Sequence, residues 1–380
     1  MRWRFLPVIL FACQDDTRNL EPQNLPEPTC PALFALPAPR CLAPWSETFG
    51  EAPQTALLDS RAEKLLYPRP GGVVTVNLLD QNSTSEPIEH PAVELATTPD
   101  FSAFATILAQ GEIHDIYWWG NNSGYLHTLA EPWRADGHRV PLDNLRLSGN
   151  GKYLFFSTSA DSFLIPDTNL LHDVYRLTLA TSKLERISLG AAETDGPAYG
   201  ARTHWNGDKV WFISTAISLG ARFIGEGDVF FWENGEVKPA GFEERNVTGL
   251  EVSANGCVVI TETANGLVIR DADQQSEIIG QRPVLAPSGR YLTYLNAQRR
   301  PVVREISTGA EAPLDVDGVT GATQALSFSA DDGYLTAVGY GPTCPRPVYD
   351  ELGQCQNCNC RLQGLYVMRN PLLPNPCNSP

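Results

Sequence analysis

Nine cysteines hold most of the reactive chemistry in this sequence, and they are unevenly placed. Cys30 and Cys41 lie near the N-terminus, while Cys344, Cys355, Cys358, Cys360 and Cys377 crowd the C-terminal end. Cys13 ends an apolar run, and Cys257 stands alone in Cys-Val-Val-Ile. Clustered thiols either pair as disulfides in an oxidising compartment or hold a metal. Cys355-x-x-Cys358-x-Cys360 has ligand-like spacing, so a zinc knot is the rival to a set of disulfides. No thioredoxin-like βαβ pattern surrounds Cys355 and Cys358, which argues against redox exchange there. Cys257, in an apolar strand, reads as a small buried hydrophobe.

Oxygen and nitrogen donors give weaker signals. His114 and His172 each precede an aspartate, Asp115 and Asp173, and would reach one shared polar site if their elements were equivalent. Turn hydrogen bonding is the plainer reading. Asp161, Asp167, Asn169 and Asp173 offer the oxygens that calcium takes, although Asx turns explain the same residues. Trp118 and Trp119 are adjacent in a strand-like run, so their rings alternate: one faces a core, the other is a candidate for partner or sugar contact. There is no Gly-x-Ser-x-Gly elbow, P-loop, dinucleotide fingerprint or His-Glu-x-x-His. No catalytic residue, resident metal or cofactor is therefore expected.

The N-terminus decides between the cysteine chemistries. Arg2 and Arg4 precede eight apolar residues, 5–12, far short of the ~20 needed to span a bilayer but suited to a secretory leader. Leu10-Phe11-Ala12-Cys13 resembles the bacterial lipobox, which implies cleavage before Cys13 and lipidation of its thiol. By the same analogy, Gln14 after the cysteine leans to the outer membrane. Residues 14–44 are polar and proline-rich, as a semi-extended tether would be. Export makes disulfides the expectation: Cys30 with Cys41, a staple among Cys344, Cys355, Cys358 and Cys360, and Cys377 within that cluster or back to the N-terminal part. Those seven cysteines are an odd number, so one partner is missing.

The formal net charge of −16 disfavours phosphate backbones and anionic lipid surfaces as partners, and nucleic acid is excluded on that ground. Charged residues make up 19% of the chain and hydrophobic residues 42%, so it is globular. With 31 glycines and 30 prolines in short clusters, it suits many turns between short strands.

What must position these residues is a repeat. Segment 145–188 contains strand-like runs separated by Asn150-Gly151 and Ala180-Thr181-Ser182-Lys183. Weaker copies begin at 57–67, 95–107, 203–213, 250–260, 284–294 and 326–338. Their turns centre on Ala62, Phe101, Gly151, Gly207, Gly256, Gly289 and Asp332, about 45 residues apart, the length of a four-stranded propeller blade. A second strand recurs as Asp115-Ile116-Tyr117, Asp173-Val174-Tyr175 and Asp228-Val229-Phe230.

Ser148-Gly149-Asn150-Gly151-Lys152-Tyr153-Leu154, Ser253-Ala254-Asn255-Gly256 and Pro287-Ser288-Gly289-Arg290-Tyr291-Leu292 resemble the blade openings of TolB-type, WD-like propeller repeats. The resemblance spans about 56–368 and implies fold rather than activity. The expected protein is all-β: one β-propeller of seven four-stranded antiparallel blades, or six, since the first two units lack the turn glycine. The expected layout is a leader at 1–13, a tether at 14–50, the propeller at 51–370 with a cysteine-rich insertion at 341–362 in its last blade, and a tail at 371–380. Residues 32–36 are the candidate closing strand. The function expected is that of a monomeric lipid-anchored scaffold binding an envelope protein or a glycan. The alternative is a hydrolase or lyase with carboxylates at the central channel.

Overall fold

In a computed structural model, the described residues are 42, 45–49, 53, 55–69, 72–87, 92–99, 101–110, 113–120, 127–128, 140, 142–160, 169–190, 194–222, 225–271, 274–314, 321–340 and 363–373. The chain divides into two units, Met1–Cys30 and Pro31–Pro380, and every described residue belongs to the second. That unit is a seven-bladed β-propeller: seven four-stranded antiparallel sheets, with one 3-10 turn (Ile217–Leu219) as the only helix among the described residues.

Blade 1 is Leu57–Leu58, Lys64–Arg69, Gly72–Asn77 and Ser83–Pro87; blade 2 is Ala92–Thr97, Ala103–Gln110, Ile113–Gly120 and His127–Thr128. Blade 3 is Leu142–Leu147, Tyr153–Thr158, Asp173–Thr178 and Lys183–Arg186; blade 4 is Ala198–Thr203, Lys209–Ser214, Asp228–Glu233 and Glu236–Pro239. Blade 5 is Gly249–Val252, Val258–Thr263, Gly266–Asp271 and Gln274–Ile278; blade 6 is Gly280–Leu285, Tyr291–Asn296, Pro301–Glu305 and Glu311–Pro313. Blade 7 takes Gly321–Phe328, Tyr334–Tyr340 and Gln363–Arg369 from the C-terminal end and Trp45–Phe49 from the N-terminal end. This last strand pairs antiparallel along its whole length, Trp45 opposite Val367 and Phe49 opposite Gln363. Closure by an N-terminal strand is thus real, but it falls at Trp45–Phe49; the expected 32–36 lies outside the described residues.

All seven turn positions marked in the sequence adopt positive φ, from 53° at Ala62 and 56° at Phe101 to 77° at Gly289. Blades 1 and 2 therefore make the same turn without glycine, which removes the six-bladed alternative. Side chains fix these turns. Ser148 Oγ donates to Asn150 Oδ1 and accepts from the Tyr153 amide, while Asn150 Oδ1 also takes the Lys152 amide. Ser253 with Asn255, and Ser329 with Asp331, repeat that network. In blade 1, Asp59 does the work, accepting from the Glu63 and Lys64 amides.

The core lies between the blades. Seven apolar clusters among the described residues each join one neighbouring pair, including the closing pair: Leu65, Tyr67 and Val76 of blade 1 pack with Tyr334 and Leu365 of blade 7. One blade cannot bury both faces of its sheet; a closed ring buries every face and leaves only short outer edges.

Candidate functional site: the central channel

The first strand of each blade lines the axis. On blades 3 to 6, Arg146, Arg202, Glu251 and Val284 hold equivalent positions, each one step before the pair that closes the turn. In blades 3, 4 and 6 the register shifts just before this position, with Asn144, Gly200 and Arg282 at positive φ. Such bulges re-aim the next side chain. The amides they free are held by the preceding blade in two cases. Glu94 accepts from Asn144 and Leu145 at 3.2 and 2.7 Å, and Glu262 accepts from Arg282 at 3.0 Å.

Two connected cavities occupy the axis. The mouth, about 250 Å³, lies at the turn face and is walled by Pro99, Leu147, Trp205, Val252, Leu285 and Pro287, with His204 at its rim. The deeper cavity, about 410 Å³, shares Leu147, Leu285 and Pro287 with the mouth and adds Arg146, Glu251 and Gln324. Among the described residues, backbone hydrogen bonds between turns cross five of the seven blade junctions at this mouth: Ser60 to Pro99, Asn150 to Trp205, Trp205 to Ala254, Ala254 to Pro287, and Asp331 to Ser60. Blade is thereby tied to blade at the rim, including across the closing junction.

Charge inside the channel is asymmetric. Glu251 Oε1 accepts from Nε and Nη2 of Arg202 at 3.1 and 2.8 Å, a neutralised pair. Arg146 donates one Nη1 bond, 2.7 Å, to the Leu145 carbonyl and has no ion-pair partner among the described residues. Burial, then the neighbouring Arg202, pushes its guanidinium down to about 10, still cationic at neutral pH.

No family model and no curated protein matches the chain. Among solved structures it is similar to TolB from Acinetobacter baumannii at 14% identity and a TM-score of 0.45, covering 81% of this chain and 64% of that one. The chain therefore spans less than two thirds of the length of that protein.

Residues singled out in the sequence mostly lie away from the channel. Asp115, Asp173 and Asp228 are equivalent, opposite Leu108, Thr158 and Ser214. Asp173 is buried and accepts from Ser188 Oγ at 2.6 Å and Arg186 Nη1 at 3.0 Å; Asp228 is gripped by Arg222 Nε and Nη2. His172 Nδ1 lies 3.7 Å from Asp143. His114 and Trp119 sit in the third strand of blade 2, opposite Ala109 and Phe104, with side chains outside those described. Trp118 packs half-buried against the core between blades 2 and 3. Asn169 binds the Thr194 carbonyl, and Asp161 and Asp167 lie outside the described residues. Among the described residues, no group of three His, Cys, Asp or Glu side chains is arranged to hold a metal ion.

Cys13, Cys30, Cys41, Cys344, Cys355, Cys358, Cys360 and Cys377 lie outside the described residues. Cys257 corrects the expectation of a core thiol. It is half-buried and precedes the strand, because Asn255 takes its amide into the turn.

The channel residues belong to no catalytic or binding motif, yet Leu145-Arg146, Ala201-Arg202 and Leu250-Glu251 carry a signal: a charge beside a core position, just before each blade turn.

Proposed function

We propose that this chain is a non-enzymatic, lipid-anchored scaffold of the bacterial envelope that engages a protein partner through the channel mouth. The carrying observation is the mouth itself: a concave, mostly apolar collar with an indole on it, fixed by hydrogen bonds running from blade to blade. Preformed apolar concavities with a few placed polar groups are where ligands and partner anchors bind, and a rigid rim lowers the entropy cost of binding. The enzyme reading finds less support. A glycosidase-like site needs two carboxyl groups about 5–10 Å apart and free to act. The channel carboxylate Glu251 is held by Arg202, and the nearby Glu94 is held by backbone amides.

Export rests on the leader and lipobox-like Leu10-Phe11-Ala12-Cys13, and the outer membrane on Gln14. The same setting supports disulfides for the tether and the 341–362 insertion. The test is site-specific photo-cross-linking in intact cells from position 205 at the mouth and, as a control, from Lys183 on the outer edge of blade 3. A discrete protein adduct from 205 alone, on a chain whose mature N-terminus is acylated Cys13, is the expected result. A glycan adduct would change the partner class. Release of new reducing ends or peptides by the purified protein would overturn the scaffold reading.

A further inference from the structure

The Arg146 end of the channel has a ligand chemistry of its own. Arg146 projects from an inner strand that a bulge has re-aimed, lines the 410 Å³ cavity, and satisfies one of its five N–H donors on a neighbouring carbonyl. Its nearest rival for a partner, Glu251, is occupied by Arg202 through two donors on one oxygen. The second neighbouring carboxylate, Glu94, is held by the Asn144 and Leu145 amides, so neither carboxylate pairs directly with Arg146. A planar guanidinium fork in a confined space selects a planar bidentate anion, and carboxylate fits that geometry.

We propose that the channel below the mouth is a carboxylate-binding site, with Arg146 as the ligand's ion-pair partner and the Arg202–Glu251 pair as a fixed wall beside it. This deepens the scaffold reading and rests on the same channel. The carboxylate is either that of a free small organic acid or an acidic side chain carried in by a peptide. The apolar collar at Leu147 and Leu285, shared by both cavities, would take the aliphatic part of either.

Two probes separate the sources: succinate, and a blocked pentapeptide of apolar residues with one central glutamate, run beside its glutamine counterpart. Each is titrated calorimetrically into the full mature chain, Arg146→Gln and Arg146→Lys. The expected result is saturable binding of one probe, weakened roughly 10- to 100-fold in Arg146→Gln and partly kept in Arg146→Lys, since a charged hydrogen-bond partner is lost in the first and a point charge retained in the second. Binding of succinate identifies a small-acid site; binding of the glutamate peptide alone identifies an acidic segment. A second measurement guards against a folding defect. Arg146→Leu should leave the melting temperature of the empty protein level or raise it, because it removes a half-buried cation that has no direct ion-pair partner among the described residues. If neither probe binds, or if Arg146→Gln binds as the parent does, the carboxylate site is wrong. A mouth cross-link at position 205 would still stand in that case, so the two readings fail separately. A lower melting temperature for Arg146→Leu with no probe bound would make Arg146 purely structural.

Discussion

Asp332 occupies the left-handed turn position of blade 7, where blades 3 to 6 place glycine. It is 4% exposed, and its Oδ1 has no hydrogen-bond partner among the described residues. Burial raises its carboxyl to about 6, with Ser288 and Arg290 opposing the shift. The folded chain therefore holds this proton more tightly than the unfolded chain. The stabilisation is complete below about pH 4 and is lost as pH rises through 6, a change of up to about 3 kcal/mol for two pK units. Asp332→Gly should accordingly raise the urea midpoint at pH 8 and leave it level or slightly lower at pH 4.5. Equal shifts at both pH values would mean that backbone strain, not the carboxylate, is what the substitution relieves. Cys257 makes a second residue-scale case. Counted with the seven cysteines expected in disulfides, it makes an even eight. Strand Gln363–Arg369 ends beside Gly333, on the turn face where Cys257 lies. Non-reducing peptide mapping should find Cys257 joined to Cys377. Joining to Cys355, Cys358 or Cys360 would refute that pairing.

At the element scale, the blade turns show why so much of this fold was legible. A Ser-x-Asx-Gly turn has a chemical signature: a hydroxyl and a carboxamide that bond each other and satisfy two amides, with one residue at positive φ. That signature names the phase of each blade, so the seven turns, and the equivalence of Asp115, Asp173 and Asp228, could be read directly. Bulges and closure have no comparable signature. Asn144, Gly200 and Arg282 share a conformation but no side-chain chemistry, because their freed amides are taken by partners as distant in sequence as Glu94. Trp45–Phe49 was hidden for the same reason: its one paired edge is matched by a strand more than 300 residues away. The turns also predict a contrast. Gly207 and Gly235 both have positive φ, 74° and 86°, but a Cβ at 207 would come within 2.7 Å of the Tyr153 ring and 3.0 Å of Ser148 Cβ, whereas at 235 it meets nothing within 4 Å. Gly235→Ala should cost the conformational term alone, about 1 kcal/mol. Gly207→Ala should cost that plus about 1–3 kcal/mol of overpacking at the junction of blades 3 and 4. Chemical denaturation of the two variants measures the difference, and similar losses would mean that the junction yields freely.

At the scale of the molecule, the ring is a closed chain of seven interfaces, and its weakest covalent point is blade 7, where the two ends of the fold meet. Three of its strands come from the C-terminal end and one, Trp45–Phe49, from the N-terminal end. Just upstream, the Leu42 amide donates to the Tyr334 hydroxyl at 3.0 Å, and Leu42 packs in the cluster joining blades 7 and 1. Opening that clasp removes a five-residue ladder and exposes the edge of Gln363–Arg369 to pairing with other chains. At roughly 0.5–1.5 kcal/mol net per backbone bond, the direct loss is a few kcal/mol. The larger effect is on cooperativity, because an open ring can unfold from its ends whereas a closed one must break two junctions before any blade is released. A chain beginning at residue 50 should therefore melt lower and over a broader range than one beginning at 42, and should aggregate at concentrations where the longer chain stays monomeric. Adding a synthetic 42–50 peptide in trans should restore part of the melting temperature by mass action. If the shorter chain melts as sharply as the longer one, and the peptide has no effect, blade-to-blade packing alone closes the propeller and the N-terminal strand is only an edge cover.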